Sequence, residues 1–365
     1  MLAFDTKSSN LVNFPKDYSL TGPLNKQAVE RGLANAEWYR TDISRARMKE
    51  LMQRSDGPAT RDTVIWLGSM ILLAVGAIHL WPSFWSVPLF LAYGVLYGSA
   101  SDSRWHECGH GTAFRTPWKN VAVYQLASFM IMRNPVIWKW SHSRHHTDTI
   151  IVGRDPEIVA MRPPDLLRLA LNFFGLVDAP TALWQTLRHA IGVLSADEKD
   201  FVPESEWPKV YQVARIWVLI YVATIALCCA THSILPLMLI GLPRLYGTWH
   251  ALLCGLTQHI GLAEDVLDHR QNCRTVYMNP VSRFIYWNMN YHVEHHMFPM
   301  VPYYRLPELH AEMLSDTPAP YKGFWDAYRE ILPTIIRQLG DPDYFVRRVL
   351  PSTAKPFKSP PTEAV

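Results

Sequence analysis

Charge is scarce in this chain. Asp, Glu, Lys and Arg make up 18% of its 365 residues, against roughly a quarter in ordinary soluble domains. The signs nearly balance, with a formal net charge of +3. That is too little positive charge to track a phosphate backbone, so a nucleic-acid binder is excluded. Cysteine is thin as well. Cys108, Cys228, Cys229, Cys254 and Cys273 are scattered, odd in number and form no C-x-x-C pair. A disulfide framework is therefore not expected, and Cys228, Cys229 and Cys254, set in apolar runs, read as small hydrophobes. The opening MLAFDTKSSN has no basic stretch followed by an apolar core, so no signal peptide is expected and the N-terminus is expected to remain cytoplasmic. Mean hydropathy is only −0.03. That is too low for a chain made mostly of membrane spans, yet it suits a few spans carrying a large polar part.

What is present is unevenly distributed. Residues 24–55 hold no Pro, and Val29, Leu33, Ala36, Ile43 and Met48 form a loose helical stripe, which predicts one surface or interfacial helix. Residues 63–81 and 84–101 are runs of 19 and 18 residues without Asp, Glu, Lys or Arg, each close to the ~20 residues of a bilayer-spanning helix. Only Pro82 and Ser83 separate them, so a tight helical hairpin is expected. A third charge-free block, residues 216–243, is 28 residues long, too long for one comfortable span. With THSILP (231–236) as its turn, it predicts spans over 211–231 and 235–256. The turns at 82–83 and 232–233 carry no Lys or Arg, whereas residues 1–62 carry ten. The positive-inside rule then turns both hairpin tips outward and leaves 102–210, 257–365 and both termini cytoplasmic. Arg244 falls inside the fourth predicted span, where a charge is a functional candidate or the sign of a misplaced turn. Residues 164–178 predict a short helix at the interface, and the Pro-rich tail 351–365 is expected to be disordered.

Histidine carries the chemical signal. Eight of the 15 histidines sit in three clusters: His106 and His110 in WHECGHG, His142, His145 and His146 in WSHSRHH, and His292, His295 and His296 in NYHVEHHMFP. Positions i, i+3 and i+4 of a helix share a face, so each cluster is expected to aim its imidazoles at one point. Imidazole is the commonest side-chain metal donor, and eight donors suffice for two ions. The first cluster follows the second predicted span by five residues, and His259 in CGLTQHIGL follows the fourth by three. His259 is thus a candidate ninth ligand in one cytoplasmic pocket against the membrane. Zinc sites often use Cys pairs, and none is offered. Magnesium and calcium want oxygen donors. A dense all-imidazole site suits Fe, Cu or Zn, and eight or nine donors in three groups suggest two irons with open positions for oxygen. Carboxylates in or near the clusters, namely Glu107, Asp148, Asp155, Glu157, Glu264 and Glu294, together with Asn290, are candidates to orient the imidazoles. His250, His269 and His310 read as ordinary polar or supporting residues; His79, His189 and His232 read as distant.

This H-x3-H, H-x2-HH, H-x2-HH arrangement resembles the membrane fatty acid desaturase and hydroxylase superfamily over residues 60–310. GRDPEI, with Asp155, Pro156 and Glu157, is similar to the DPE phrase of many desaturases, and 290–299 resembles their third box. HECGHGTAF and SRHHTDTIIVGRDPEI further resemble a bacterial branch that includes rhizopine-catabolism oxygenases. The resemblance implies an all-α integral membrane fold. Four transmembrane helices in two hairpins would carry a cytoplasmic helical cap, with an N-terminal segment 1–60, a core domain 61–310 and a C-terminal helix and tail 311–365. It implies a multi-pass inner-membrane protein with two non-haem irons held by the eight box histidines and His259. O2 and external electrons would be used to desaturate or hydroxylate an unactivated C–H bond. No His-Pro-Gly-Gly of a cytochrome-b-type domain is present, so a ferredoxin, rubredoxin or Rieske-type protein with its reductase is the expected donor. His292 stands where front-end desaturases carry Gln, which disfavours that outcome. A fatty acyl or other lipid-like chain is the expected substrate, and a small methylated polar compound that loses its methyl group is the alternative. A membrane metal transporter or sensor is a more distant alternative. It would want ligands near the span midplanes, whereas these clusters lie outside the spans.

Overall fold

The computed structural model describes residues 16–158 and 161–357. Among them the regular structure is helical, with only isolated bridges such as Thr275 to Tyr291 in place of strands. The first long helix, Asp56–Leu80, is N-capped by Ser55, whose side chain accepts from the Gly57 N–H. It packs against Ser86–Gly94, its hairpin partner. That second leg does not stop at the expected boundary. It widens into a π-turn over Val95–Ala100 and runs on as Ser101–Gly109, so one rod carries the chain from the hairpin tip to the first histidine cluster. Helix Trp207–Thr231 matches the third predicted span, and His232 ends it in a left-handed conformation.

Two segments, Arg45–Leu80 and Glu204–Thr231, are long and apolar enough to cross a membrane, and only 17% of each apolar window is buried within the protein. Val64, Ile71, Leu72 and Val75 on the first, and Leu219, Val222 and Leu227 on the second, face outward. Phe84 and Trp85 stand exposed at the hairpin tip, where interfacial aromatics belong.

The fourth predicted span, 235–256, is not one helix. It is broken into Leu235–Leu239, Pro243–Tyr246 and Trp249–His259. Pro243 cannot continue the preceding turn, Gly241 is left-handed at φ +95°, and a Cβ on Gly247 would lie 1.8 Å from the Gly94 carbonyl oxygen. The two backbones touch there, and Ser99 Oγ donates to the Gly247 carbonyl at 2.6 Å. The break thus lets this limb pack onto the π-turn. Gly247→Ala is expected to cost about 3 kcal/mol, the upper end of overpacking penalties because the obstacle is backbone. A fall in thermal midpoint and detergent-extractable yield would register it; wild-type stability would show that the contact relaxes freely.

The N-terminal expectation also needs correcting. Residues 24–55 form two short helices, Pro23–Glu30 and Arg45–Leu51, not one. Gly32, at φ +72°, stops the first, and the chain between them runs without helix along the core. The tail is tied down as far as it is described. The Lys355 N–H donates to Asp316 Oδ1 at 2.9 Å, and Phe357 packs on Tyr39 with ring centroids 5.4 Å apart. Residues 358–365 lie outside the described residues.

Candidate metal centre

Four elements deliver the histidines. The rod Ser101–Gly109 ends on His106 and His110, and helix Pro135–Thr147 carries His142, His145 and His146. Helix Trp249–His259 ends on His259, and the short helix His292–Met297 carries the third cluster. All nine come together in two groups: His106, His110, His142, His146 and His295 in one, and His145, His259, His292 and His296 in the other. Within each group one nitrogen per residue lies within 4.8 Å of the others.

The partition corrects the expectation that each cluster serves one point. His142 and His146 point into the first group while His145 crosses to the second; His292 and His296 point into the second while His295 crosses to the first. An i, i+4 pair lies on one stripe of a helix, and the residue before its second member is rotated by about 100° to the neighbouring stripe. Each of these two helices therefore bridges both groups.

The nitrogens sit as a bound cation requires. His142 Nε2 lies 3.0 Å from His110 Nε2 and 3.1 Å from His146 Nε2. His146 Nε2 lies 3.1 Å from His295 Nε2. In the second group His292 Nε2 is 2.8 Å from His259 Nε2 and 3.0 Å from His296 Nε2. Metal–imidazole bonds of about 2.1 Å at right angles place nitrogens about 3.0 Å apart. The outer nitrogens explain why the inner ones carry lone pairs. His142 Nδ1 faces Glu157 Oε2 at 2.9 Å, and His145 Nδ1 faces Asp155 Oδ2 at 2.8 Å. A carboxylate only accepts, so the proton sits on Nδ1 and Nε2 is bare. His259 Nδ1 likewise donates to the Asn272 carbonyl at 2.8 Å, and His296 Nδ1 to Thr149 Oγ1 at 3.2 Å. Bare nitrogens converging at 3 Å repel one another unless a cation sits between them, so the donor set fits two metal ions.

Electrostatics agree. Burial, reinforced by neighbouring imidazoles, holds His106, His110, His146, His259, His292, His295 and His296 well below the ordinary histidine pKa, hence neutral. His145 is the exception. Burial pulls it down, but the Asp155 carboxylate raises it above the usual value. Glu157 is buried, which alone would raise it, yet His142 beside it brings it below the usual carboxylate range.

Of the expected supporting residues, Asp155 and Glu157 touch ligands. Glu107, Asp148, Glu264, Glu294 and Asn290 do not. Glu107 accepts from Thr112 Oγ1 at 2.6 Å and from the Tyr303 N–H at 3.1 Å, and burial pushes it up to about 7. Glu294 bonds Thr275 and His310. Asn290 donates to the Val276 carbonyl at 2.9 Å. Thr149 and the Asn272 carbonyl take the supporting role instead; a backbone oxygen leaves no signal in a sequence. His269 and Cys273 also lie within 4.8 Å of His296. Burial raises the Cys273 thiol well above its ordinary value, and His296 is shared with the second group. His250, which reads as an ordinary residue, bonds Ser282. His189 pairs with Glu198 far from the centre.

Glu157→Gln keeps the shape but withdraws the charge facing His142 Nδ1. It should weaken iron retention about 10- to 100-fold, the usual cost of removing such a partner. Iron content after graded chelator dialysis checks this; unchanged retention would show that Glu157 does not orient His142.

A helical protein with nine convergent imidazoles and exposed apolar helices is a membrane-associated protein built around a histidine-rich centre. The chain belongs to the fatty acid desaturase family, whose profile matches residues 79–328. It is similar to the sn-2 acyl-lipid omega-3 desaturase (ferredoxin) of Helianthus annuus chloroplasts, 26% identical over 280 residues, 70% of this chain and 60% of that protein. It is also similar to an omega-6 fatty acid desaturase of the endoplasmic reticulum of Glycine max, 23% identical over 299 residues, 71% of this chain and 76% of that one. A fatty acid conjugase of Calendula officinalis is 22% identical over 345 residues, 84% of this chain and 89% of that one. The chain thus spans only 60% of the length of the Helianthus relative.

Proposed function

We propose that the protein is a membrane-bound oxidoreductase. It uses two non-haem irons, O2 and external electrons to desaturate or hydroxylate an unactivated C–H bond of a fatty acyl or other lipid-like substrate. One observation carries the reading: nine imidazoles converge in groups of five and four, with ring nitrogens spaced as metal ligands are. Family membership supplies the reaction class. The ferredoxin named for the Helianthus relative supports a ferredoxin-type protein as electron donor.

The two irons, when bound, supply the activation of O2 with two electrons. The protein's part is positional. Asp155 and Glu157 hold the His145 and His142 rings and keep their protons on the outer nitrogens. Trp105 and Trp138, at a ring-centroid distance of 5.0 Å, wall the approach to His106 and His142 and keep bulk water away. In this reading four apolar limbs, 63–81, 84–101, 211–231 and the broken 235–256, cross the inner membrane as two hairpins with their tips outward. The centre and the chain ends are cytoplasmic. Segment 1–60 and segment 311–365 flank the core 61–310.

The decisive experiment is the metal content of the detergent-purified chain after Fe(II) reconstitution, with a Mössbauer spectrum. About two irons per chain are expected. Failure to retain iron would overturn the reading and favour a transporter or sensor.

A further inference from the structure

A cavity of about 200 Å³ opens beside the histidines. Its lining includes His142, His145, His259 and His292, the apolar Leu252 and Leu256, and Arg244. An acyl pocket has no use for charge, yet among the described residues this one is bordered by seven charged side chains. Six of them have polar partners. Asp102 pairs with Arg133 at 2.9 Å, and Arg133 also lies over the Trp138 ring, 4.2 Å from its centroid. Glu264 pairs with Arg162 at 3.3 Å and with Lys16 at 3.1 Å. Glu157 faces His142, and Asp178 accepts from Asn172 at 2.8 Å.

Arg244 is different. It is only 7% exposed, and its side chain has neither a hydrogen bond nor an ion pair among the described residues. Its Nε is buried without a partner. Its backbone is clamped: Thr248 Oγ1 donates to its carbonyl at 3.1 Å, and a Cβ on Gly175 would come within 2.6 Å of the same oxygen. The backbone that carries the guanidinium is therefore fixed beside the cavity. A buried guanidinium without a counterion is costly, and five N–H donors in a planar fork suit a carboxylate or phosphate. A cationic ligand is disfavoured, because each acid on the wall already has a partner and Arg133 occupies the Trp138 face.

We propose that Arg244 binds an anionic group of the substrate and thereby sets which carbon faces the histidines. The substrate class is an amphipathic acid or phosphate ester whose charge lies within one cavity length of the carbon attacked, with its apolar part along Leu252 and Leu256. This rests on the reading of the histidines as the oxidising centre. Arg244 is a specificity residue, not a metal ligand.

The test is calorimetric titration of the iron-loaded full chain in detergent with hexanoate, hexyl phosphate, hexanamide and hexyltrimethylammonium. At least one of the two anions should bind wild type at least about tenfold more tightly than hexanamide, the scale of a charge-assisted hydrogen bond. Whichever anion binds more tightly identifies the group as carboxylate or phosphate. R244Q should erase the preference while retaining about two irons, and R244K should keep part of it. Should R244Q lose its iron through misfolding, R244K and the wild-type preference decide. Equal affinity for anion and amide in wild type would overturn the proposal, as would a tighter ammonium or an anion preference that survives in R244Q through direct iron binding. Absence of iron from wild type is a separate outcome that sinks the metal reading, while the ligand preference is still measured.

Discussion

His110→Ala and His292→Ala are each expected to reduce iron from about two to about one per chain and to bring turnover to background. His110 belongs to the group of five and His292 to the group of four, so each substitution removes a donor from a different group. Losing a supporting partner of a ligand already costs about 10- to 100-fold; losing the ligand itself should exceed that. Metal analysis of the two variants, beside substrate turnover with a ferredoxin-type donor, makes the comparison. Two irons retained with full activity in either variant would sink the assignment of that residue. His79→Ala is the suitable control, since His79 is exposed on the first long helix. His189 is a poor control because it is buried against Glu198 at 2.9 Å.

Arg270→Ala is expected to destabilise the chain by about 3–5 kcal/mol, the cost of removing one partner from a buried ionic network. Arg270 is fully buried. It pairs with Asp268 and Asp316, each at 2.9 Å. It lies over the Tyr39 ring, 3.4 Å from the centroid, and donates to the Lys355 carbonyl at 3.1 Å. One guanidinium thus joins the N-terminal segment, the loop behind the histidine centre and the C-terminal segment. Without it two buried carboxylates lose their cation, although Asp316 still accepts from Tyr39, Thr41 and the Lys355 N–H. Removing the Asp316 charge as well should recover part of the loss, because the two changes share one network. Thermal unfolding in detergent of R270A and of R270A/D316N measures both effects. A loss below about 1 kcal/mol in R270A would show that water reaches the acids.

The nine histidines were legible because metal chemistry restricts residue type and a helix restricts spacing. His106 and His110, or His292 and His296, announce themselves at i, i+4 whatever surrounds them. Charge-free runs likewise marked Asp56–Leu80 and Trp207–Thr231, because the bilayer imposes a length and an apolar composition that no neighbour can change. Asp155 and Glu157 were legible by their nearness to the second cluster, whereas Glu107 and Glu294 misled by the same nearness: each found a partner on another element.

Composition and local periodicity determined, then, which side chains are available and which segments are helical and apolar. Only the tertiary structure decided how the histidines divide into two groups, since that depends on how helices Pro135–Thr147 and His292–Met297 turn their neighbouring stripes toward the other elements. Pro243 and Gly241 permit the break in 235–256, but its seating of Gly247 against the Gly94 backbone is a contact between residues far apart in sequence. The unpaired state of Arg244 follows from where the acids around it found their partners. Local interactions repeat along a chain and can be read in it; these three are settled by what packs against what.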